Sequence, residues 1–164
     1  MADTTDEHFM RLAIAVATRK GADPAVSPIG CVIVLDGQVI AAECNHVAEH
    51  HDATAHAEME AIRAAGRGRE NGWLRHATLY STLQPCGMCT MASIWSKVGR
   101  VVYGAGRDDV HRMYFEDRHT DTLAFIGDAY RDDIGVEGGV LRAECAALYF
   151  GPDDDVPVER QGNL

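Results

Sequence analysis

Asp36-Gly37 separates two apolar runs, Cys31-Val32-Ile33-Val34-Leu35 and Gln38-Val39-Ile40-Ala41-Ala42. No other feature constrains the fold as much. An Asp-Gly pair accepts the positive φ angles of a two-residue hairpin, so these runs form adjacent antiparallel strands. Downstream the pattern alternates. Ala55 to Ala65 reads as a helix, Ala77 to Thr82 as a strand, Gly87 to Lys97 as a helix entered through Pro85, and Val98 to Gly104 as a strand. Strands alternating with helices after one hairpin imply an α/β fold, a mixed sheet with helices on both faces.

The flanking segments are less sharply patterned. Glu7 to Lys20 predicts an opening amphipathic helix, with Phe9, Leu12, Ala13, Val16 and Ala17 on one face, Asp6 as its cap and Gly21 as its stop. Ser27-Pro28-Ile29-Gly30 is a loop, and the polar, histidine-rich stretch from Asn45 to Thr54 reads as a surface or site-lining loop. Between Arg107 and Asp133 aromatics and charges mix without a clear period, and Tyr114, Phe115 and Phe125 are assigned to the core. Trp95 is expected in the core or a dimer interface. Gly138 to Phe150 predicts a last helix, followed by a polar, solvated tail with Asp153-Asp154-Asp155. At 164 residues the chain fits one domain spanning 1–164, with a core over about 8–150 and a tail over 151–164. The start, Met1 to Glu7, is acidic where a secretory leader is basic, and no apolar run approaches the roughly 18–20 residues of a membrane span. The expectation is a cytoplasmic protein that does not cross a membrane.

Five cysteines, at 31, 44, 86, 89 and 145, do not suggest a disulfide framework. Only Cys86 and Cys89 have ligand-like spacing. They open a predicted helix, three residues apart, where both sulfurs can face one point and the helix terminus favours thiolate. His56 opens another predicted helix thirty positions earlier. Two thiolates and one imidazole make three ligands for a tetrahedral zinc, with the fourth position left for water. That open position distinguishes a catalytic zinc from a closed structural one. Glu58, two residues after His56, can take a proton from that water and pass it to a leaving amine. Cys31, Cys44 and Cys145 sit among apolar residues and read as inert buried thiols.

His56-Ala57-Glu58 together with Pro85-Cys86-Gly87-Met88-Cys89 resembles the cytidine deaminase-like superfamily. Pro28-Ile29-Gly30, Asn45, the segment from Asp52 to Glu58, the segment from Thr78 to Cys89, and Gly139 to Cys145 extend the resemblance over about residues 8 to 150. The text is similar to the branch of guanine, cytosine and tRNA adenosine deaminases. The resemblance implies a three-layer αβα sandwich around a five-stranded mixed sheet, a homodimer, and one zinc per chain. His56, Cys86 and Cys89 would bind the metal and Glu58 would move protons. Asn45, Ala57, Ser81, Asp108 and His111 would face the substrate, Asn45 through its side chain and Ser81 through its carbonyl. Position 84 departs from many relatives, carrying Gln where they have Glu.

Charge bears on the substrate. With 15 Lys and Arg against 25 Asp and Glu the net charge is −10. Nucleic-acid binders concentrate basic residues to neutralise phosphates. Here the basic residues are scattered and the chain lacks the basic terminal helix of tRNA-acting relatives. Sequence therefore points to a small heterocyclic base, guanine, cytosine or an amino-substituted analogue, losing ammonia by hydrolysis, with nucleic acid not expected as a partner. The alternatives are a tRNA adenosine deaminase and a non-catalytic zinc-binding interaction domain.

Overall fold

The computed structural model describes residues 4–115, 122–130 and 133–161. In chain order its elements are α1 (Thr4–Ala17), β1 (Gly30–Leu35), β2 (Gln38–Cys44), α2 (Val47–His50), α3 (Ala57–Gly66), β3 (Thr78–Leu83), α4 (Gly87–Trp95), β4 (Arg100–Ala105), α5 (Thr122–Gly127), β5 (Gly135–Gly138) and α6 (Arg142–Ala146). The five strands form one sheet in the order β2-β1-β3-β4-β5. β1 pairs antiparallel with β2 and β3, while β3–β4 and β4–β5 are parallel. The mixed αβα architecture is as the sequence implied.

The hairpin turn follows its chemistry: Asp36 and Gly37 both have positive φ, 51° and 75°. Side chains alternate across the sheet with a period of two, and β3 shows what each face carries. Tyr80 and Thr82 point toward α1 and α6, where Tyr80 bonds Asp6 and Thr82 bonds Tyr149. Ser81 points the other way, to Glu58 on α3. Two glycines let the first layer lie close. A Cβ on Gly30 would stand 2.1 Å from the Ala13 carbonyl oxygen, and one on Gly104 2.1 Å from Cys145 Sγ.

Several expectations change. α1 ends at Ala17, short of Lys20, and it buries Met10 while Leu12 is 37% exposed. Asp6 lies inside its first turn rather than capping it. Only 4% exposed, it accepts two hydrogen bonds from Arg100 (2.8 and 2.7 Å) and one from Tyr80 Oη (2.7 Å). The loop from Asn45 contains the single turn α2. The expected helix from Gly138 is replaced by strand β5, a left-handed turn at Gly139 and Leu141 (φ 86° and 52°), and the short α6. β5 is an edge strand, Gly-Val-Glu-Gly, without an apolar run to announce it.

Of the unpatterned aromatics, Phe115 is buried, Tyr114 donates to the Pro24 carbonyl (2.9 Å), and Phe125 is half-buried. Parts of that stretch, 116–121 and 131–132, lie outside the described residues, as does the acidic start at 1–3. Trp95 is 72% exposed and so is not core. The tail is not simply solvated. Val156 is buried, Arg160 reaches Asp23 (3.2 Å), and its guanidinium lies 5.5 Å from the centre of the Phe150 ring. Among the described residues no helix is long and apolar enough to cross a membrane.

Candidate metal centre and active site

Two helix starts converge beneath the sheet. His56 is the residue that begins α3 and Cys86 the one that begins α4, both with extended backbone and neither making a side-chain capping bond. Their side chains instead turn toward each other, and Cys89 adds its sulfur one turn into α4. His56 Nδ1 lies 3.7 Å from Cys86 Sγ and 3.6 Å from Cys89 Sγ, and the three donor atoms all fall within 4.8 Å of one another. Zn–N bonds near 2.0–2.1 Å and Zn–S bonds near 2.3 Å at tetrahedral angles put N and S about 3.6 Å apart. The donor set fits zinc in type and spacing. Among the described residues it is the one group of three or more such ligands placed to hold a metal.

The thiols are already polarised. The Cys89 thiol donates to Cys86, and with help from His56 this pulls Cys86 down to about 4. Cys89 is correspondingly pushed well above the usual thiol range, first by that same bond and then by burial. A zinc ion would take both as thiolates.

Glu58 sits in the first turn of α3, 3% exposed. Ser81 Oγ donates to its Oε1 at 3.2 Å, and Cys89 Sγ lies 3.6 Å from its Oε2. Burial first, then the nearby Cys86 charge, raises its pKa above the ordinary carboxylate value. A carboxyl so placed holds a proton more readily than one in water.

The turn carrying Cys86 is braced by Thr122 and Thr90, which the sequence did not single out, and by Gln84, which it noted only as a departure from relatives. Thr122 Oγ1 donates to the Pro85 carbonyl at 2.6 Å, and Thr90 Oγ1 donates to the same oxygen at 3.3 Å. Gln84 donates to Thr122 (3.4 Å) and accepts from the Arg107 backbone N–H (3.0 Å), so it ties this turn to the loop after β4. Single hydroxyls carry no motif, and only the fold brings Thr122 beside Pro85.

The remaining candidates are dispersed. Ala57 is fully buried. Ser81 acts through its hydroxyl on Glu58, a role the sequence did not suggest. Asn45 accepts from the Val47 N–H (3.0 Å), donates to the Ser27 carbonyl (3.4 Å), and borders a cavity of about 430 Å³ with Pro28, Ile29 and Val47. Asp108 lines a separate cavity with Gln84, Arg107 and Arg142. His111 is buried, its Nδ1 accepting from the Met113 N–H (3.2 Å) and its backbone N–H donating to the Phe150 carbonyl (2.8 Å). The structure thus unites His56, Glu58, Ser81, Cys86 and Cys89, and gives Asp108 and His111 other surroundings. Cys31, Cys44 and Cys145 are buried free thiols.

Comparison with known proteins matches this geometry. Residues 3–105 fit the family described as the cytidine and deoxycytidylate deaminase zinc-binding region. A tRNA-specific adenosine deaminase of Buchnera aphidicola is 34% identical over 148 residues, covering 90% of this chain and 93% of that one. A solved structure from a study of A-to-I editing by tRNA:A34 deaminases at the wobble position is 34% identical with a TM-score of 0.72, covering 86% and 98% of the two chains. A guanine deaminase from Nitrosomonas europaea is 28% identical with a TM-score of 0.69, covering 90% and 84%.

The tRNA-specific adenosine deaminases among these relatives overturn the expectation of a free nucleobase substrate and speak against the view that a nucleic-acid partner is not to be expected. The error lay in reading recognition from net charge, which sums a whole surface while phosphate contacts are local. With zinc ligands, buried carboxyl and sheet order all in agreement, the chain belongs to the cytidine and deoxycytidylate deaminase family and is a zinc-dependent deaminase.

Proposed function

We propose that this protein hydrolytically deaminates an adenosine in tRNA, converting it to inosine with release of ammonia. The observation that carries the reading is the similarity, along nine-tenths of the chain, to a tRNA-specific adenosine deaminase, joined to a buried Glu58 beside the ligand set.

His56, Cys86 and Cys89 would hold the zinc, whose Lewis acidity would let a water lose a proton near neutral pH. Glu58 would take that proton on its carboxylate and give it to a ring nitrogen as C6 is attacked, then take the proton of the new C6 hydroxyl and give it to the departing amine. The sum is adenosine plus water to inosine plus ammonia, with Glu58 returned to its starting state. Ser81 keeps the carboxylate from rotating away. Asn45, on the loop before α2, is the residue assigned to hold the base.

The chain works as one deaminase domain and as a homodimer. The outer face of α4 supports the second point: Met91 is 39% and Trp95 72% exposed, and the helix has no charged residue.

The test is inosine and ammonia formation from an RNA hairpin carrying an adenosine in its loop, run beside free bases and nucleosides. Glu58→Gln should lose about 10²–10⁴-fold in kcat with zinc content unchanged. Turnover of a free base in preference to the hairpin would overturn the substrate assignment. Full activity in the variant would overturn the role of Glu58.

A further inference from the structure

The end of the sheet opposite the metal centre carries a second group of charged side chains, basic except for Asp133. Arg75, His76, Lys97, Gly99, Arg100 and Asp133 line a cavity of about 310 Å³ there. It is formed by the turn entering β3 and the turn between α4 and β4. Arg100 is engaged by Asp6 and Glu137. Arg75, His76 and Lys97 have no carboxylate partner among the described residues. Arg75 lies 4.9 Å from the centre of the ring of Trp73, itself 43% exposed.

The backbone makes this grouping harder to dismiss as incidental. His76 and Lys97 both hold left-handed conformations, with φ of 66° and 64°. Glycine is the least strained residue at such turns, and a long side chain there carries a steric cost. At both turns the sequence places a cationic or cation-capable side chain instead, and both border the same cavity. Gly99 packs against the first of these turns, where an added Cβ would stand 3.2 Å from His76 Cα.

Distance then selects the ligand. α4 runs from the Cys86 turn to Lys97, about 15 Å at 1.5 Å per residue. β3 spans a similar gap, about 20 Å at 3.3 Å per residue. A base bound at the metal cannot reach this cavity. A substrate with a phosphate backbone extending about 15–20 Å can. We propose that Arg75, His76 and Lys97 form an RNA-backbone exosite that binds phosphates of the stem while a loop adenosine occupies the metal centre. A guanidinium fork and an ammonium are the donors suited to phosphate oxygens. The inference rests on the tRNA reading and adds where the stem is gripped.

The test uses the full zinc-loaded chain, its R75Q/K97Q variant, an RNA hairpin with a loop adenosine, and a stemless oligonucleotide of the same loop sequence. Hairpin affinity is measured by fluorescence anisotropy across NaCl concentrations, and inosine formation gives kcat and KM. The variant should weaken hairpin binding about tenfold and lower the slope of log K against log salt by about 1.5, for two lost phosphate contacts. Its kcat should stay within twofold, and the stemless substrate should not distinguish the two proteins. An unchanged affinity and salt slope in the variant overturns the exosite while leaving the tRNA deaminase reading intact, whereas a parent that fails to bind the hairpin overturns both. Hairpin binding that depends on the two cations without any inosine formation upholds the exosite and refutes the deaminase reading. A second variant, K97G, separates structure from binding: it should melt higher than the parent yet bind the hairpin more weakly.

Discussion

Replacing Asp6 with Ser discriminates sharply between a helix cap and a buried ion pair. Serine caps helices about as well as aspartate, so a capping role predicts a loss of at most about 0.5 kcal/mol. The structure instead gives Asp6 three charge-assisted hydrogen bonds, two from Arg100 and one from Tyr80, at 4% exposure. Hydrogen bonds to charged groups contribute about 1.5–3 kcal/mol each, and breaking a buried pair costs about 3–5 kcal/mol. The Arg100 side chain is 33% exposed and keeps Glu137 as a partner. The lower end of that range therefore applies, about 3 kcal/mol, or about 6–12 °C in Tm for a chain of this size.

The effect also has a pH signature. Arg100 holds the Asp6 carboxyl below its ordinary value, and Tyr80 adds to this. A carboxyl depressed in the folded state stabilises at pH above its unfolded pKa, about 3.9, and that contribution disappears as pH falls through the folded value. Urea unfolding followed by tryptophan fluorescence should show a gap between parent and D6S near 3 kcal/mol at pH 7 that narrows below about pH 4. A gap under about 0.5 kcal/mol at pH 7, or one that stays constant down to pH 3, would refute the ion-pair account.

Other outcomes follow from the same geometry. Gly30→Ala drives a methyl into the backbone of α1, 2.1 Å from the Ala13 oxygen, and should destabilise by about 3 kcal/mol or more in urea unfolding. Ser81→Ala removes the hydrogen bond that orients Glu58; kcat should fall about 10–100-fold with zinc content unchanged, and an unaltered kcat would remove Ser81 from the positioning role. Chelation of zinc should abolish activity and uncover one fast-reacting thiol in the native protein. That thiol is Cys86, half-exposed with its pKa near 4, while Cys31, Cys44, Cys89 and Cys145 are buried; labelling followed by peptide mapping checks the assignment.

The metal ligands were legible in the sequence because metal chemistry is restrictive. A thiolate pair three residues apart and an imidazole, each at a helix start, leave few other uses for those residues. The hairpin was legible because Asp36-Gly37 encodes its own φ angles. β5 was hidden because a short edge strand needs no apolar run, and Val136 between Gly135, Glu137 and Gly138 has no period to detect. Asp6 misled because the same carboxylate suits a helix start and an arginine, and only tertiary structure brings Arg100 to it from 94 positions away. Ser81, Thr122 and Gln84 were obscure as supports because a single hydrogen-bonding group acquires its role from what lies opposite. Substrate size was misjudged for a related reason: a total of charges says nothing of their arrangement around one cavity.

His56 and Cys86 begin their helices without a side-chain cap, and this binds the fate of the reaction to that of the backbone. These two residues occupy the places where Ser or Asp would ordinarily secure a first turn, so a shared ion would be the fastener that joins those turns. Glu58 rides on one of them, two residues from His56. Losing the metal would therefore loosen the proton carrier's own footing as well as remove the Lewis acid. Reloading would have to rebuild a small piece of secondary structure before turnover resumed, so recovery of activity should lag behind metal uptake.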